Sequence, residues 1–185
     1  MEPRGKTYED YFRAVVNHPD FEEQSPEERI NAILAIRCPE DVRLTSQFME
    51  EDVSLVSFTK LSDTTCKAVF KFTVSRFYCN ISGNLHGGAQ ATIYDMLTSF
   101  AMQAIGIKGF WSNGGVSRTL ECTYVRPAPE GTELLCEVEV LATGKTLSLH
   151  RGVIKRADNG ALISAGKHDK AAIMAKAGVD VPSKL

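Results

Sequence analysis

A twofold alternation of apolar and polar side chains dominates the chain from about residue 52 onward. In one run Cys66, Phe70 and Phe72 alternate with Lys67 and Lys71. Because successive side chains of a strand point to opposite faces of a sheet, this pattern predicts half-buried antiparallel strands. The alternation recurs in four further runs, residues 116–124, 134–140, 147–155 and 161–168.

One long apolar stretch, from residue 87 or 88 to residue 105, interrupts the strands. It is apolar on all sides, and Asp95 is the only formally charged residue between Leu85 and Ile107. Such a pattern predicts a helix that is buried on most sides, with Gly106 as its C-cap. Counting a first strand from about residue 52, the order is two strands, a buried helix and four strands. This order predicts an α+β architecture in which an antiparallel sheet wraps around one long central helix.

Helical patterns occupy the chain before the first strand. A weak one spans residues 8–16. A stronger one begins at Ser25, an N-cap residue followed by Pro26 and Glu28 at helix positions N1 and N3. We expect this helix to continue to Arg37 and to end before Pro39. The chain then divides into an N-terminal helical extension (1–45), a main domain (46–172) and a C-terminal tail (173–185).

The composition fits one domain, since the chain has 185 residues and 43% of them are hydrophobic. The net charge of -2 comes without the clustered basic face that nucleic-acid binding requires. No apolar stretch predicts a transmembrane helix or a secretory signal, so we expect no membrane partner. The five cysteines are odd in number and have no CxxC spacing, which indicates neither disulfides nor a metal site.

The last three residues, Ser183-Lys184-Leu185, match the tripeptide address for import into peroxisomes. The residues before them resemble an unpacked linker, which suits a tail that a receptor grasps. We therefore expect a peroxisomal location, with the import receptor as a partner. A polar tail that matches the address by coincidence is the alternative.

Asp95 needs an explanation because it lies in the middle of an apolar helix. Aspartate has a poor helix propensity, and a carboxylate in apolar surroundings is costly unless it is paired or hydrogen-bonded. Either a structural partner such as Thr92, Thr98 or Ser99 stabilises it, or function retains it. The residues alone leave both explanations open.

The same helix begins with His86-Gly87-Gly88. Glycines leave backbone N–H groups accessible, and together with the helix dipole these groups can hold an oxyanion or a carbonyl oxygen. The alternative is an ordinary glycine-containing helix entry with a packed histidine. Gly87 and Asp95 are separated by about 12 Å along a helix, so both can act on one substrate only if Asp95 comes from a neighbouring subunit. We therefore expect a shared site in a symmetric dimer.

The segment from Asn80 to Asp95 resembles the phenylacetate-pathway type of hotdog thioesterases, especially the branch of thioesterase superfamily member 2. That family has His-Gly-Gly six residues after an Asn and an Asp nine residues after the His, and both spacings occur here. Residues 115–117 and 144–147 also match, and the resemblance covers roughly residues 50–170. It implies a hotdog fold, a dimer or tetramer, and hydrolysis of acyl-CoA to free acid and CoA. It implies no cofactor beyond the CoA of the substrate.

The resemblance also implies roles for individual residues. Asp95 is the general base that activates water, or it is the nucleophile. The Gly87 N–H polarises the thioester carbonyl, and Asn80 and His86 help to position the substrate or the water. Ser117, from the partner strand, supports the water near Asp95.

CoA carries phosphates, so cations are expected along its exit groove. Arg126, Lys145 and Lys170 are candidates, and solvated surface charge is the alternative for each of them. Gly88 is also expected to bind the substrate. The N-terminal extension and the loop from Gly106 to Gly114 depart from the compact family pattern. They leave the acyl preference open, because both could line the acyl tunnel.

Two other functions stay open. Hotdog folds also host dehydratases, hydratases and cyclisation-type steps on acyl or polyketide thioesters. Those sites usually place a histidine near a carboxylate. Here His86 and Asp95 are far apart on one helix, which favours hydrolysis unless the partner subunit's His86 reaches Asp95. The third hypothesis is a non-catalytic acyl-CoA-binding protein, and the complete motif argues against it.

Overall fold

Four α-helices and six strands make up the described part of the chain, residues 8–38, 41, 43–107 and 109–173 of a computed structural model. The helices are α1 (Tyr8–Val16), α2 (Pro26–Leu34), α3 (Leu44–Gln47) and α4 (Gly87–Ile105). The strands are β1 (Val53–Lys60), β2 (Cys66–Thr73), β3 (Val116–Tyr124), β4 (Glu133–Thr143), β5 (Leu147–Arg156) and β6 (Leu162–Ala171). Short 3-10 turns at Pro19–Glu22 and Arg76–Tyr78 and a π turn at Phe48–Asp52 complete them.

The strands form one antiparallel sheet in the order β1-β2-β4-β5-β6-β3. Helix α4 lies across one face of this sheet, and most of its side chains are buried. It begins and ends where its apolar pattern predicts, with Gly106 as its C-cap. The predicted α+β architecture, a sheet wrapped around one central helix, is therefore confirmed.

The opposite face of the sheet carries charged side chains in cross-strand pairs. Glu139 of β4 lies between Lys67 of β2 and Arg151 of β5, with N–O distances of 3.2 and 2.5 Å. Exposed pairs of this kind contribute little stability. They identify the solvent-facing side of the sheet and explain why these strands alternate between apolar and polar residues.

The N-terminal extension begins as its pattern predicts. Helix α1 spans the predicted residues, and Ser25 and Glu28 form the predicted capping box at the start of α2. The prediction that α2 continues to Arg37 is wrong, because the helix ends at Leu34. The Arg37 guanidinium instead donates to the carbonyls of Leu34 and Ile36, satisfying acceptors that the helix end leaves free.

Arg29 joins the extension to the end of α4. Its buried guanidinium donates to Gly106 O at 2.8 Å and to Ala104 O at 3.3 Å. It also donates to the backbone carbonyls of Glu22 and Gln24. A cation that meets free C-terminal carbonyls of a helix is favoured by hydrogen bonding and by the helix dipole. The extension and α4 are therefore held together at this point by one side chain.

The predicted domain limits at residues 45 and 172 stay a prediction, and Pro39 and the terminal tripeptide 183–185 lie outside the described residues. None of the described helices combines the length and apolarity needed to cross a bilayer.

Candidate active site

A slot in the sheet fixes the position of α4. Gly152 of β5 and Gly166 of β6 are cross-strand partners, and the Tyr94 ring lies against both. A Cβ atom at Gly152 would lie 2.5 Å from the ring, and one at Gly166 would lie 2.8 Å from it. The Tyr94 hydroxyl accepts from Ile154 N at 3.1 Å and lies 2.8 Å from Ser164 Oγ. The glycine pair and these bonds set the height and rotation of α4 over the sheet.

Asp95, the next residue along α4, lies beside β3 and β6. Ser117 Oγ donates to Asp95 Oδ1 at 2.5 Å. His168 Nε2 lies 3.2 Å from the same oxygen, but it is not aligned for a hydrogen bond. The Asp95 side chain is 43% exposed in the single chain. The carboxylate is therefore held by one hydroxyl and remains open to a ligand on its outer side.

Ser117 thus meets Asp95 within one chain, through the neighbouring strand β3. Of the three structural partners that the helix sequence offered Asp95, none binds its carboxylate. Thr92 donates to Gly88 O, and Thr98 and Ser99 direct their hydroxyls to backbone carbonyls of α4. Asp95 is therefore not a polar residue satisfied by its own helix.

Two buried histidines lie behind Asp95. His168 Nδ1 lies 2.6 Å from Thr98 Oγ1, and the His150 ring meets the His168 ring edge-on at 5.7 Å. Burial lowers the pKa of His168 to about 4 and that of His150 to about 3. Neighbouring Lys170 lowers both pKa values further, whereas Asp95 raises that of His168. Both rings are therefore neutral at neutral pH.

The sequence interpretation missed His150 and His168, although the strands carry a signal for them. In β6 the positions facing α4 are Ser164, Gly166, His168 and Lys170, each two residues from the next. In a strand with one buried face, a run of polar and small residues on that face is unusual. It could have been recognised as a polar cluster once the strand faces were assigned.

At the beginning of α4, the N–H groups of Gly87 and Gly88 differ in whether they have a hydrogen-bond acceptor. His86 is the N-cap, and its Nδ1 accepts from Gly88 N at 2.9 Å. No described residue accepts from Gly87 N. The Tyr124 hydroxyl donates to Gly87 O at 2.9 Å, and its ring lies 3.2 Å from the point that a Gly87 Cβ would occupy. The free amide is therefore that of Gly87, whereas Gly88 and His86 satisfy each other.

Asn80 lies in the loop before α4. Its Oδ1 accepts from Ser82 N at 3.0 Å and from Asn84 N at 3.1 Å, which closes the loop. Its side chain is exposed, and its amide NH2 has no acceptor among the described residues. Asn80 therefore combines a structural oxygen with an amide donor that is left for a ligand.

The predicted site residues thus fall into two groups on one chain. Asn80, His86, Gly87 and Gly88 surround the beginning of α4, while Asp95 lies two turns further along, about 12 Å away at helical rise. We call the first group the amide cradle and the contact of Asp95 with Ser117 the carboxylate site.

The predicted CoA-binding cations differ in how exposed they are. Arg126 is exposed and donates to Leu162 O at 3.0 Å, and Lys145 is exposed in the turn between β4 and β5. The prediction that Lys170 is a cation along the CoA exit groove, and its alternative of solvated surface charge, are both wrong. Its side chain is buried against α4, because it occupies a helix-facing position of β6.

Comparisons with known proteins concern the family and the fold of the chain. A family model described as the thioesterase superfamily matches residues 82–163. Acyl-coenzyme A thioesterase 13 of Mus musculus is 31% identical over 121 residues, which cover 64% of this chain and 82% of that protein.

Solved structures show the same fold. Thioesterase superfamily member 2 from Mus musculus aligns with a TM-score of 0.63 and 26% identity, over 80% of this chain and 98% of that one. The E. coli PaaI protein from the phenylacetic acid degradation operon aligns with a TM-score of 0.54 and 18% identity, over 65% and 79% of the two chains. The latter likeness concerns the fold alone. The predicted hotdog fold and the family resemblance are confirmed.

Proposed function

Because this chain belongs to the thioesterase superfamily, we propose that it is an acyl-CoA thioesterase, which hydrolyses the thioester to a free acid and CoA. The observation that carries the proposal is that the chain has both an exposed carboxylate, Asp95 bonded to Ser117, and a backbone N–H without an acceptor among the described residues, that of Gly87. Hydrolysis of a thioester needs a base for water and a donor for the carbonyl oxygen, and these two groups supply both.

In the proposed mechanism, water binds between Ser117 and the free oxygen of Asp95. The thioester carbonyl accepts from Gly87 N–H, with the Asn80 amide as a second donor, and the dipole of α4 favours the developing oxyanion. Asp95 removes the proton as water attacks the carbonyl carbon, and the C–S bond then breaks. The proton on Asp95 passes to the CoA sulfur, so the reaction consumes only water and the substrate.

Direct attack by Asp95 would form an acyl anhydride with the enzyme instead. Single turnover in ¹⁸O-labelled water distinguishes the two routes. A general base leaves the label in the product acid alone. If Asp95 is the nucleophile and water opens the anhydride at the enzyme carbonyl, the label enters the Asp95 carboxyl group instead, and the product acid carries an unlabelled oxygen from Asp95.

We propose further that the site is shared between two subunits. The amide cradle and the carboxylate site of one chain are too far apart on α4 to act together. The edge strand β3 favours a dimer contact beside the carboxylate site, because it carries Ser117 and exposes Val116 and Tyr124 at its two ends. An open edge strand with exposed apolar residues favours pairing with a second chain.

The decisive experiment is hydrolysis of an acyl-CoA panel by the purified protein and its Asp95→Asn variant. The panel contains straight chains of increasing length and phenylacetyl-CoA. We expect kcat to fall about a thousandfold in the variant, since a general base contributes roughly 10²–10⁴. Asp158→Asn is the matched control, because Asp158 is an exposed turn residue paired with Arg156, and full activity is expected. Full activity in Asp95→Asn would remove this residue from the mechanism.

A dehydratase or hydratase is the second candidate, and the contact of His168 with Asp95 is the observation that favours it. His86 is far from Asp95 on the same helix, but a different histidine, His168, lies beside the carboxylate, with its Nε2 atom 3.2 Å from Asp95 Oδ1. His168 is 1% exposed and lies behind Asp95, so it cannot itself contact a substrate on the open side. Release of free CoA supports hydrolysis, whereas a product that retains its thioester supports this candidate. Binding without turnover would support an acyl-CoA-binding protein.

The peroxisomal location and the import receptor as partner stay predictions. Fluorescent fusions with and without Ser183-Lys184-Leu185 test them. Punctate fluorescence that becomes diffuse without the tripeptide is expected, and puncta that persist would contradict the assignment.

A further inference from the structure

Tyr124 is a half-exposed residue that the proposed mechanism does not use. It is the last residue of the edge strand β3, and 51% of its surface is exposed. Its hydroxyl donates to Gly87 O at 2.9 Å. Two of its ring carbons lie 3.2 and 3.5 Å from the point that a Gly87 Cβ would occupy. Tyr124 therefore makes both a polar and an apolar contact with the residue whose N–H is free.

The contact of Tyr124 completes the fixation of the backbone around Gly87. The peptide between Gly87 and Gly88 is held at both polar atoms, because its oxygen accepts from the Tyr124 hydroxyl and its N–H donates to His86 Nδ1 at 2.9 Å. The preceding peptide carries the free Gly87 N–H, and its oxygen, His86 O, accepts from Gln90 N at 3.0 Å. The free N–H thus projects from a backbone that is held on both sides.

A glycine at this position needs such contacts to present its N–H in one direction. Gly87 is the first residue of α4, where helices fray, and glycine restricts its own backbone less than any other residue. A hydrogen-bond donor stabilises an oxyanion most when its direction is fixed before the reaction. His86 holds one atom of the Gly87–Gly88 peptide, and Tyr124 is the side chain that holds the other.

The Tyr124 hydroxyl is suited to act as a donor. Burial raises the pKa of Tyr124 above its ordinary value, and the neighbouring Cys122 raises it further. The hydroxyl therefore keeps its proton at neutral pH, and this proton is available for Gly87 O.

We propose that Tyr124 is a positioning residue for the Gly87 amide, and that its hydroxyl and ring hold the first peptides of α4 in the orientation that binds the oxyanion. This inference rests on the proposed function. Tyr124 acts on the amide of its own chain, so the inference does not depend on which subunit supplies Asp95.

Steady-state kinetics of Tyr124→Phe in the full-length protein give the first test, with the acyl-CoA that the parent hydrolyses fastest. This variant loses the hydroxyl and retains the ring. We expect kcat to fall about tenfold and KM to change little, because the amide remains but is less well oriented in the transition state. Thr123→Val is the matched control. It removes a hydroxyl from the adjacent, exposed residue, which points to the opposite face of β3, and full activity is expected.

The binding of two CoA derivatives distinguishes positioning from a general structural role. In the first, a trifluoromethyl ketone replaces the thioester and adds water, so that its hydrate resembles the tetrahedral intermediate. The second is an S-alkyl-CoA thioether, which offers no oxygen to the Gly87 amide. Tyr124→Phe should raise the Kd of the ketone about tenfold and leave that of the thioether unchanged, because only the ketone uses the oriented amide.

The outcomes separate the inference from the proposed function. In an active parent enzyme, a Tyr124→Phe variant with the parent's kcat, or one that binds both derivatives more weakly to the same degree, would overturn the inference alone. A parent without acyl-CoA hydrolysis would overturn the proposed function and the inference with it. If Tyr124→Phe does not fold, Tyr124→Met replaces it with the same expected difference between the two derivatives, and equal effects on both count equally against the inference.

Discussion

Replacing Gly152 by alanine is expected to force α4 away from the sheet. The added methyl group would lie 2.5 Å from Tyr94 Cδ1 and 2.7 Å from Cε1, well inside ordinary carbon contact distances. The ring cannot move aside, because its other contact is Gly166, where a Cβ atom would lie 2.8 Å away. Insertion of a methyl group into a packed core costs about 1–3 kcal/mol, and we expect the upper part of this range here.

The effect should be visible in both stability and catalysis. Urea unfolding should show a lower midpoint at an unchanged m value. Because Asp95 follows Tyr94 directly on α4, acyl-CoA hydrolysis should also fall by about tenfold or more, as expected for a misplaced catalytic group. Gly144→Ala is the matched control. Its Cβ would meet no atom closer than 3.5 Å, so we expect a change of at most about 0.5 kcal/mol.

The proposed cause can be isolated by repeating Gly152→Ala in a Tyr94→Ala background. If the ring is the obstacle, the alanine at 152 should cost far less there, giving a coupling of roughly 1–3 kcal/mol between the two sites. An equal loss of stability in both backgrounds, or a Gly152→Ala protein as stable as the parent, would show that the contact of Tyr94 with the two glycines does not position α4.

Three further predictions concern Arg29, His150 and Gly87. Arg29→Met should lower the free energy of unfolding by about 2–4 kcal/mol, because it leaves buried carbonyls unpaired. The control Arg13→Met, at an exposed residue, should change it by about 0.5 kcal/mol or less. Similar losses for the two variants in urea unfolding would contradict this prediction. His150 has a folded-state pKa of about 3, below its usual 6.5, so its contribution to stability is present above about pH 6.5 and decreases as the pH falls toward 3. Over this range, the free energy of unfolding of His150→Gln should fall less steeply than that of the parent, by about 1.4 kcal/mol per pH unit. Parallel pH profiles of the two proteins would count against this prediction. Gly87→Pro removes the free amide at a helix position that tolerates proline, and it should abolish hydrolysis. Gly87→Ala retains the amide and should stay active. Equal activities of the two variants would exclude the amide as the oxyanion donor.

Much of the fold could be predicted because periodicity reports it directly. Alternation identified the strands from 66 onward, and the apolar run with one charge identified both α4 and Asp95. The end of α2 could not be predicted in this way. The helix ends at Leu34, and Arg37 donates to the carbonyls of Leu34 and Ile36, which a scale of helix propensity does not report.

Apart from Ser117, which only the family resemblance indicated, the predictable site residues are those close together in sequence. The amide cradle and Asp95 come from one segment of the chain. His150, His168 and Lys170 approach Asp95 only because β6 lies between β5 and β3, and strand order is not visible in a single sequence. For the same reason Lys170, a lysine near the end of a strand, was predicted at the surface and is buried.

In the proposed enzyme, Gly87 of one subunit and Asp95 of another form one site. Co-expression of Asp95→Asn and Gly87→Pro chains with different affinity tags yields mixed oligomers, and their acyl-CoA hydrolysis shows whether the site is shared. In a shared site, one of the two sites of a mixed dimer combines both defects and the other is intact, so we expect about half of the parent activity. Mixed oligomers of Asp95→Asn with Asp95→Ala should be inactive. Mixed Asp95→Asn and Gly87→Pro oligomers that are equally inactive would contradict the shared site.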